Sequence, residues 1–130
     1  MSLSSDPVAI FRTEARELLE RIEQGLLDLN TTPNERSLVD EVFRSLHTLK
    51  GSGAMFGFDA LAAFTDHCET AFDRVRKGEV AATGDLISVV LAAQDHMRGL
   101  IEGTADPVRG QDLLARLEKE VMAASGAGAA

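Results

Sequence analysis

A chain of 130 residues with a single Cys68, no Trp and no Tyr is long enough for one domain with a proper core and too short for two. Its net charge of -8 argues against a nucleic-acid binder, which needs a basic face to neutralise phosphates, and against attachment to an anionic membrane surface. One cysteine allows no internal disulfide, and no apolar run reaches the length of a membrane span or follows a signal-peptide pattern, so a soluble cytoplasmic protein is expected.

Leu, Ala, Glu and Arg dominate, and the chain divides into five amphipathic helices with their own punctuation. Residues 1–6 read as a tail. Asp6 followed by Pro7 opens the first helix as an N-cap with proline in the first helical position. Val8, Phe11, Ala15, Leu18, Ile22, Leu26 and Leu29 then keep helical spacing until "NTTPN". A second helix begins near Asn34, carries Val39, Val42, Leu46 and Leu49 on one stripe, and runs into "KGSGAMFG" with Gly57 as its stop. Asp59 is expected to cap a third, with Leu61, Phe64, Cys68, Phe72 and Val75 inward and Gly78 as the C-terminal signal. Thr83 opens a fourth, with Leu86, Val90, Ala93, Met97 and Ile101, ending near Gly103. Asp106-Pro107 repeats the opening device, and Leu113, Leu114, Leu117 and Val121 give a shorter fifth. No segment reads as a strand and there is no internal repeat. Short connections predict an all-α, up-and-down antiparallel bundle: a four-helix core plus a fifth C-terminal helix, spanning residues 7–124. The small, uncharged residues 125–130 read as the start of a flexible linker.

The stretch "HTLKGSGAMFG" at 47–57 interrupts this regularity, because each glycine costs a helix about 1 kcal/mol relative to alanine. On a helical wheel centred on Leu46, Val42, Leu49 and Gly53 fall on the buried side, whereas His47 lies about 100° off, on the border with water. Lys50 follows on the same flank with Gly51 beside it. Centring the third helix on Cys68 puts Glu69 about 100° off in the same rotational sense. In an antiparallel pair, such flanks either share the seam or both turn away from it. A shared seam sets a carboxylate beside the imidazole, where it can fix the tautomer, leave the other ring nitrogen free as a nucleophile and favour the cation formed on attack. Lys50 would attract a phosphoryl group, and small residues would admit another protein. The bland alternative is a structural histidine beside glycines that serve helix packing.

His47-Thr48-Leu49-Lys50-Gly51-Ser52 matches the H-x-x-K-G-[SG] signature, and the sequence from Met55 to Val80 continues with Phe56-Gly57-Phe58, Leu61, Glu69 and Arg76-Lys77-Gly78-Glu79. In these elements the chain resembles histidine phosphotransfer (HPt) domains, in particular those of chemotaxis histidine kinases of the CheA type. The resemblance is strong from about residue 40 to 80 and agrees in helix number and length over roughly 8–122. It implies that His47 is phosphorylated on Nε2 by the ATP-binding domain of a dimeric CheA-type kinase. The phosphoryl group then passes to an aspartate of a CheY-like or CheB-like response regulator. By the same resemblance Glu69 holds the ring through its Nδ1–H and Lys50 is the nearby cation. Gly51, Ala54 and Arg44 are candidates for the docking surface. The chain departs from the pattern at Asp66, where such kinases usually carry a second histidine one turn before the glutamate.

The remaining polar features read as ordinary. "DHCE" at 66–69 contains four ligand types, but adjacent helical residues point in different directions and cannot share a metal. His96 is expected to be exposed, Cys68 to be a small buried hydrophobe, and the acidic runs Glu14–Glu23 and Glu118–Glu120 to be solvated faces. No Walker loop is present, so ATP and Mg are expected to act only through a separate kinase domain, with no cofactor or metal held by this one, which is expected to be monomeric. Two alternatives stand beside the CheA-type carrier: a free-standing phosphorelay protein, and a helical interaction module in which His47 is merely structural.

Overall fold

The structure is a computed structural model and describes residues 6–129, with the side chains of 126–129 outside the description. Helix α1 (Pro7–Thr31) starts as its sequence dictates: the Asp6 carboxylate accepts a hydrogen bond from the Val8 N–H at 3.0 Å, and Pro7 occupies the first turn. Helices α2 (Arg36–Met55), α3 (Asp59–Arg76), α4 (Gly84–Glu102) and α5 (Pro107–Ala129) follow in order, and among the described residues there is no strand. Thr83 caps α4 through the Leu86 N–H, and Asp106 accepts from the Val108 N–H at the start of α5, as the sequence predicts.

Helices α1 to α4 form a ring in which each touches the next and α4 closes on α1, while α5 packs outside against α3 and α4. This is the expected four-helix core with an added helix. Each helix contributes its apolar stripe: Phe11 and Leu26, Leu46 and Leu49, Leu61 and Phe72, Leu86 and Met97 are all essentially inaccessible. Cys68 is buried among them, and burial pushes its thiol up to about 12, so it behaves as a hydrophobe. The buried Gln94 amide donates to the Leu19 carbonyl at 3.2 Å, pinning α4 to α1.

Four details depart from the sequence-based reading. Helix α2 starts at Arg36, two residues after Asn34, with Glu35 at the N-cap position. Phe58, not Asp59, holds the N-cap position of α3; Asp59 is its first helical residue, where its charge complements the helix dipole. Helix α5 is not short: its backbone continues through Ala129, across the stretch read as a linker, which alanine-rich composition permits. The tail over residues 1–5 and Ala130 lie outside the described residues.

The fourth departure is His96, which is buried, not exposed. Its ring packs on Phe64 at 4.7 Å between centroids, under α5, where a Cβ at Gly110 would stand 2.7 Å from its Nε2. His96 lies off the apolar stripe of α4, on a flank that would face water in a four-helix ring alone and that α5 covers. Burial, then the nearby Arg109, lowers the pKa of His96, while Asp106 and Asp95 oppose the shift. A histidine depressed in the folded state stabilises fully only above its unfolded value near 6.5; as pH falls further, the unfolded chain takes up a proton that the folded one refuses. Thermal melts should therefore show stability dropping from pH 7 towards and through the folded pKa. In His96→Gln that portion of the slope should be absent, and an identical slope in the variant would assign the loss to other groups.

Candidate functional site: the seam of helices α2 and α3

The site lies where α2 and α3 run side by side, joined by Phe56, Gly57 and Phe58. Gly57 takes φ +82°, a left-handed conformation that glycine adopts without strain, and lets the chain reverse sharply. The Phe58 N–H returns to the Gly53 carbonyl at 2.8 Å, fastening the turn to the last turn of α2. Gly53 itself faces α3: a Cβ there would stand 3.2 Å from Leu61 Cδ2 and 3.6 Å from the Phe58 carbonyl oxygen. Gly51 differs, since a Cβ there would meet no other group within 4 Å. One glycine permits packing; the other leaves the surface low.

This pairing puts the two border flanks on a common seam. The His47 Nδ1–H donates to Glu69 Oε2 across it. Lys50 Nζ donates to the other carboxylate oxygen, Glu69 Oε1, at 2.5 Å, and to Asp66 Oδ1 at 3.2 Å. Glu69 is thus a nearly buried carboxylate, 9% exposed at the side chain, clamped between two donors, while the His47 side chain remains 66% exposed. Its hydrogen bond to Glu69, followed by that to Asp66, raises the pKa of Lys50, which stays cationic. With Nδ1 occupied as a donor, the neutral imidazole keeps its lone pair on Nε2, at the solvent side of the ring. The arrangement supplies an oriented nitrogen nucleophile beside a fixed cation.

The sequence-derived candidates thus divide by position. His47, Lys50 and Glu69 come together. Arg44, Gly51 and Ala54 share the exposed stripe of α2 with His47, at helical offsets of minus three, four and seven residues, and among the described residues form no side-chain hydrogen bond or ion pair with the polar cluster. Asp66 joins the cluster through Lys50, whereas His67 is exposed on a different face of α3, in the clefts against α5. Among the described residues no group of three or more His, Cys, Asp or Glu is arranged to hold a metal.

The apolar stripe and the motif point to neither Phe43, which lies against His47, nor the Arg76 contact on it. Phe43, one turn before His47, lies nearly parallel to the imidazole, with centroids 6.2 Å apart and planes at 18°. The Arg76 guanidinium lies over the Phe43 ring at 4.4 Å. The sequence marks Arg76 only as part of the run Arg76-Lys77-Gly78-Glu79, whereas the i, i+4 spacing of Phe43 and His47 is a signal for that ring pair.

Comparison with known proteins places this geometry in a family. The CheA chemotaxis protein of Borreliella burgdorferi is 34% identical over 94 residues, which is 72% of this chain but 11% of that protein. That of Treponema pallidum is 34% identical over 120 residues, 89% of this chain and 15% of its own length. The chain therefore spans only a small part of the curated relatives it matches. Among solved structures, the CheA phosphotransferase domain of Thermotoga maritima has a TM-score of 0.71 at 31% identity, covering 74% of this chain and 91% of that one. The phosphorylated P1 domain of CheA3 in complex with CheY6 from R. sphaeroides shares the fold, with a TM-score of 0.83 at 23% identity over 92% of this chain and 98% of that one. The match to the Hpt domain extends over residues 7–121, from the first residue of α1 well into α5, so this chain belongs to the Hpt domain family.

Proposed function

We propose that the domain is a phosphoryl carrier of two-component chemotaxis signalling, with His47 as the phosphoacceptor. The observation that carries this reading is an exposed imidazole whose Nδ1–H is held by a nearly buried carboxylate, leaving Nε2 as the free nucleophile. A CheA-type kinase domain supplies ATP with its Mg. The Nε2 lone pair attacks the γ-phosphorus in line; an N–P bond forms, the bond from phosphorus to the β,γ-bridging oxygen breaks, and ADP leaves with that electron pair. Glu69 stabilises the imidazolium that develops, through the Nδ1–H it already holds. Lys50, cationic and partly exposed, offsets the arriving phosphoryl charge. In the second half-reaction, an aspartate carboxylate of a CheY-like or CheB-like response regulator attacks phosphorus. The N–P bond breaks and its electrons return to Nε2.

Such a carrier works in the cytoplasm, and among the described residues no helix is long and apolar enough to cross a membrane. The reading is tested by incubating the chain with a CheA-type kinase domain and radiolabelled ATP. Label that is acid-labile and base-stable supports it; no label, or acid-stable label, overturns it.

The partner reaches His47 along the stripe of Arg44, Gly51 and Ala54. Gly51→Leu places a bulky side chain in open space one turn from the imidazole, so the fold should hold and the helix gain up to about 1 kcal/mol. Transfer to a response regulator should nevertheless fall sharply, because in-line transfer requires close, aligned approach. Gly53→Leu should do the reverse, losing about 1–3 kcal/mol by crowding Leu61. Melts and transfer assays on both variants separate docking from packing; a Gly51→Leu chain that transfers normally removes Gly51 from the docking surface.

A further inference from the structure

We infer that Phe43, held by Arg76, is a positioning residue that sets the plane of the His47 ring. This inference rests on the phosphoryl-carrier reading and adds a part to that site. A single hydrogen bond from Nδ1 to Glu69 fixes one point of the imidazole but leaves the ring free to swing about that point, carrying Nε2 with it. A side chain that is 66% exposed has little other packing to stop this motion. Helical side chains lean towards the turn before their own, so His47 lies over residue 43. There it meets a flat aromatic face, nearly parallel at 18° and 6.2 Å, within the range of favourable aromatic pairs.

Phe43 is itself fixed from the opposite helix. The Arg76 guanidinium sits over its ring at 4.4 Å, a cation–π contact, and bonds Asp73 Oδ1 at 2.5 Å. Asp73 also pairs with Lys77 at 2.9 Å, and Lys77 first, then Arg76, lowers its pKa and keeps it ionised. The imidazole is thereby held by α3 twice: through Glu69 at one nitrogen, and through Asp73, Arg76 and Phe43 on its face. Two separate restraints define a direction for Nε2, which one hydrogen bond cannot.

Phe43→Leu keeps an apolar side chain but removes the flat face, Phe43→Tyr keeps the face, and Arg76→Gln removes the cation above it. Three-bond NMR couplings from the Hβ atoms to ring Nδ1 and Cδ2 on the unphosphorylated chain report the His47 χ2 rotamer, which sets the ring plane, and phosphorylation by a CheA-type kinase domain with ATP gives kcat and KM. The wild type and Phe43→Tyr should show one rotamer and similar kcat. Phe43→Leu should show averaged couplings and a kcat lower by about tenfold at unchanged KM, the signature of lost alignment. Arg76→Gln should fall between. A single rotamer with full kcat in Phe43→Leu, or an effect confined to KM or melting temperature, would overturn the clamp. Because the couplings need no phosphorylation, they judge the clamp separately; a wild-type chain that shows the single rotamer yet takes no label defeats the carrier reading instead.

Discussion

His47→Gln should reduce phosphoryl incorporation to background while melting within a degree or two of the wild type. The side chain is mostly exposed, and surface substitutions of this kind usually change stability by no more than about 0.5 kcal/mol. No charge is stranded by the change, because Glu69 keeps its 2.5 Å bond to Lys50. The other two histidines serve as internal controls. His67 is exposed but has no carboxylate holding its ring among the described contacts, and His96 is buried beneath α5. His67→Gln should label as the wild type does. Residual label in His47→Gln, or label mapped to His67, would move the acceptor elsewhere and leave the His47–Glu69 pair as a structural contact.

The contrast between these three histidines separates what helical periodicity carries from what packing adds. Helical periodicity puts His47 and Glu69 on flanks of the same sense, which either share a seam or both turn away; the shared seam is what the packing of α3 against α2 adds. Gly51 and Gly53 can be told apart by the same periodicity: two residues apart on a helix they face nearly opposite ways, one to solvent and one to Leu61. The burial of His96 is not legible in this way, because periodicity on α4 reports only its packing in the ring, and α5 adds a second covered face. Nor is the length of α5, because alanine and glycine carry no hydrophobic pattern, yet alanine sustains a helix. The Phe43–Arg76 contact depends on the depth at which α3 lies against α2, a matter of side-chain packing that a wheel does not contain. Lys50 was placed on the right flank, but its double pairing with Glu69 and Asp66 is a product of that same depth.

The pairing at Lys50 also frames what Glu69→Ala should do. Glu69 holds two cationic or potentially cationic groups, and its removal leaves Lys50 with Asp66 at 3.2 Å, so the lysine is not left alone. The imidazole, in contrast, loses its only hydrogen-bond acceptor among the described contacts. Free to choose, a neutral imidazole spends part of its time with the proton on Nε2, and in that tautomer the outward nitrogen has no lone pair with which to attack phosphorus. The ring also loses the charge that compensates the developing imidazolium. Phosphorylation of His47 in Glu69→Ala should therefore slow by about ten- to a hundredfold, the range for losing a carboxylate that orients a histidine, which corresponds to about 1.4–2.7 kcal/mol of barrier. Ring ¹⁵N shifts should show the Nε2–H tautomer rising at the expense of Nδ1–H. Glu69→Gln, which keeps an acceptor oxygen but not the charge, should restore the tautomer better than the rate, separating orientation from electrostatic assistance. An unchanged tautomer ratio together with an unchanged rate in Glu69→Ala would show that the carboxylate serves Lys50 and the packing of α3 and not the imidazole.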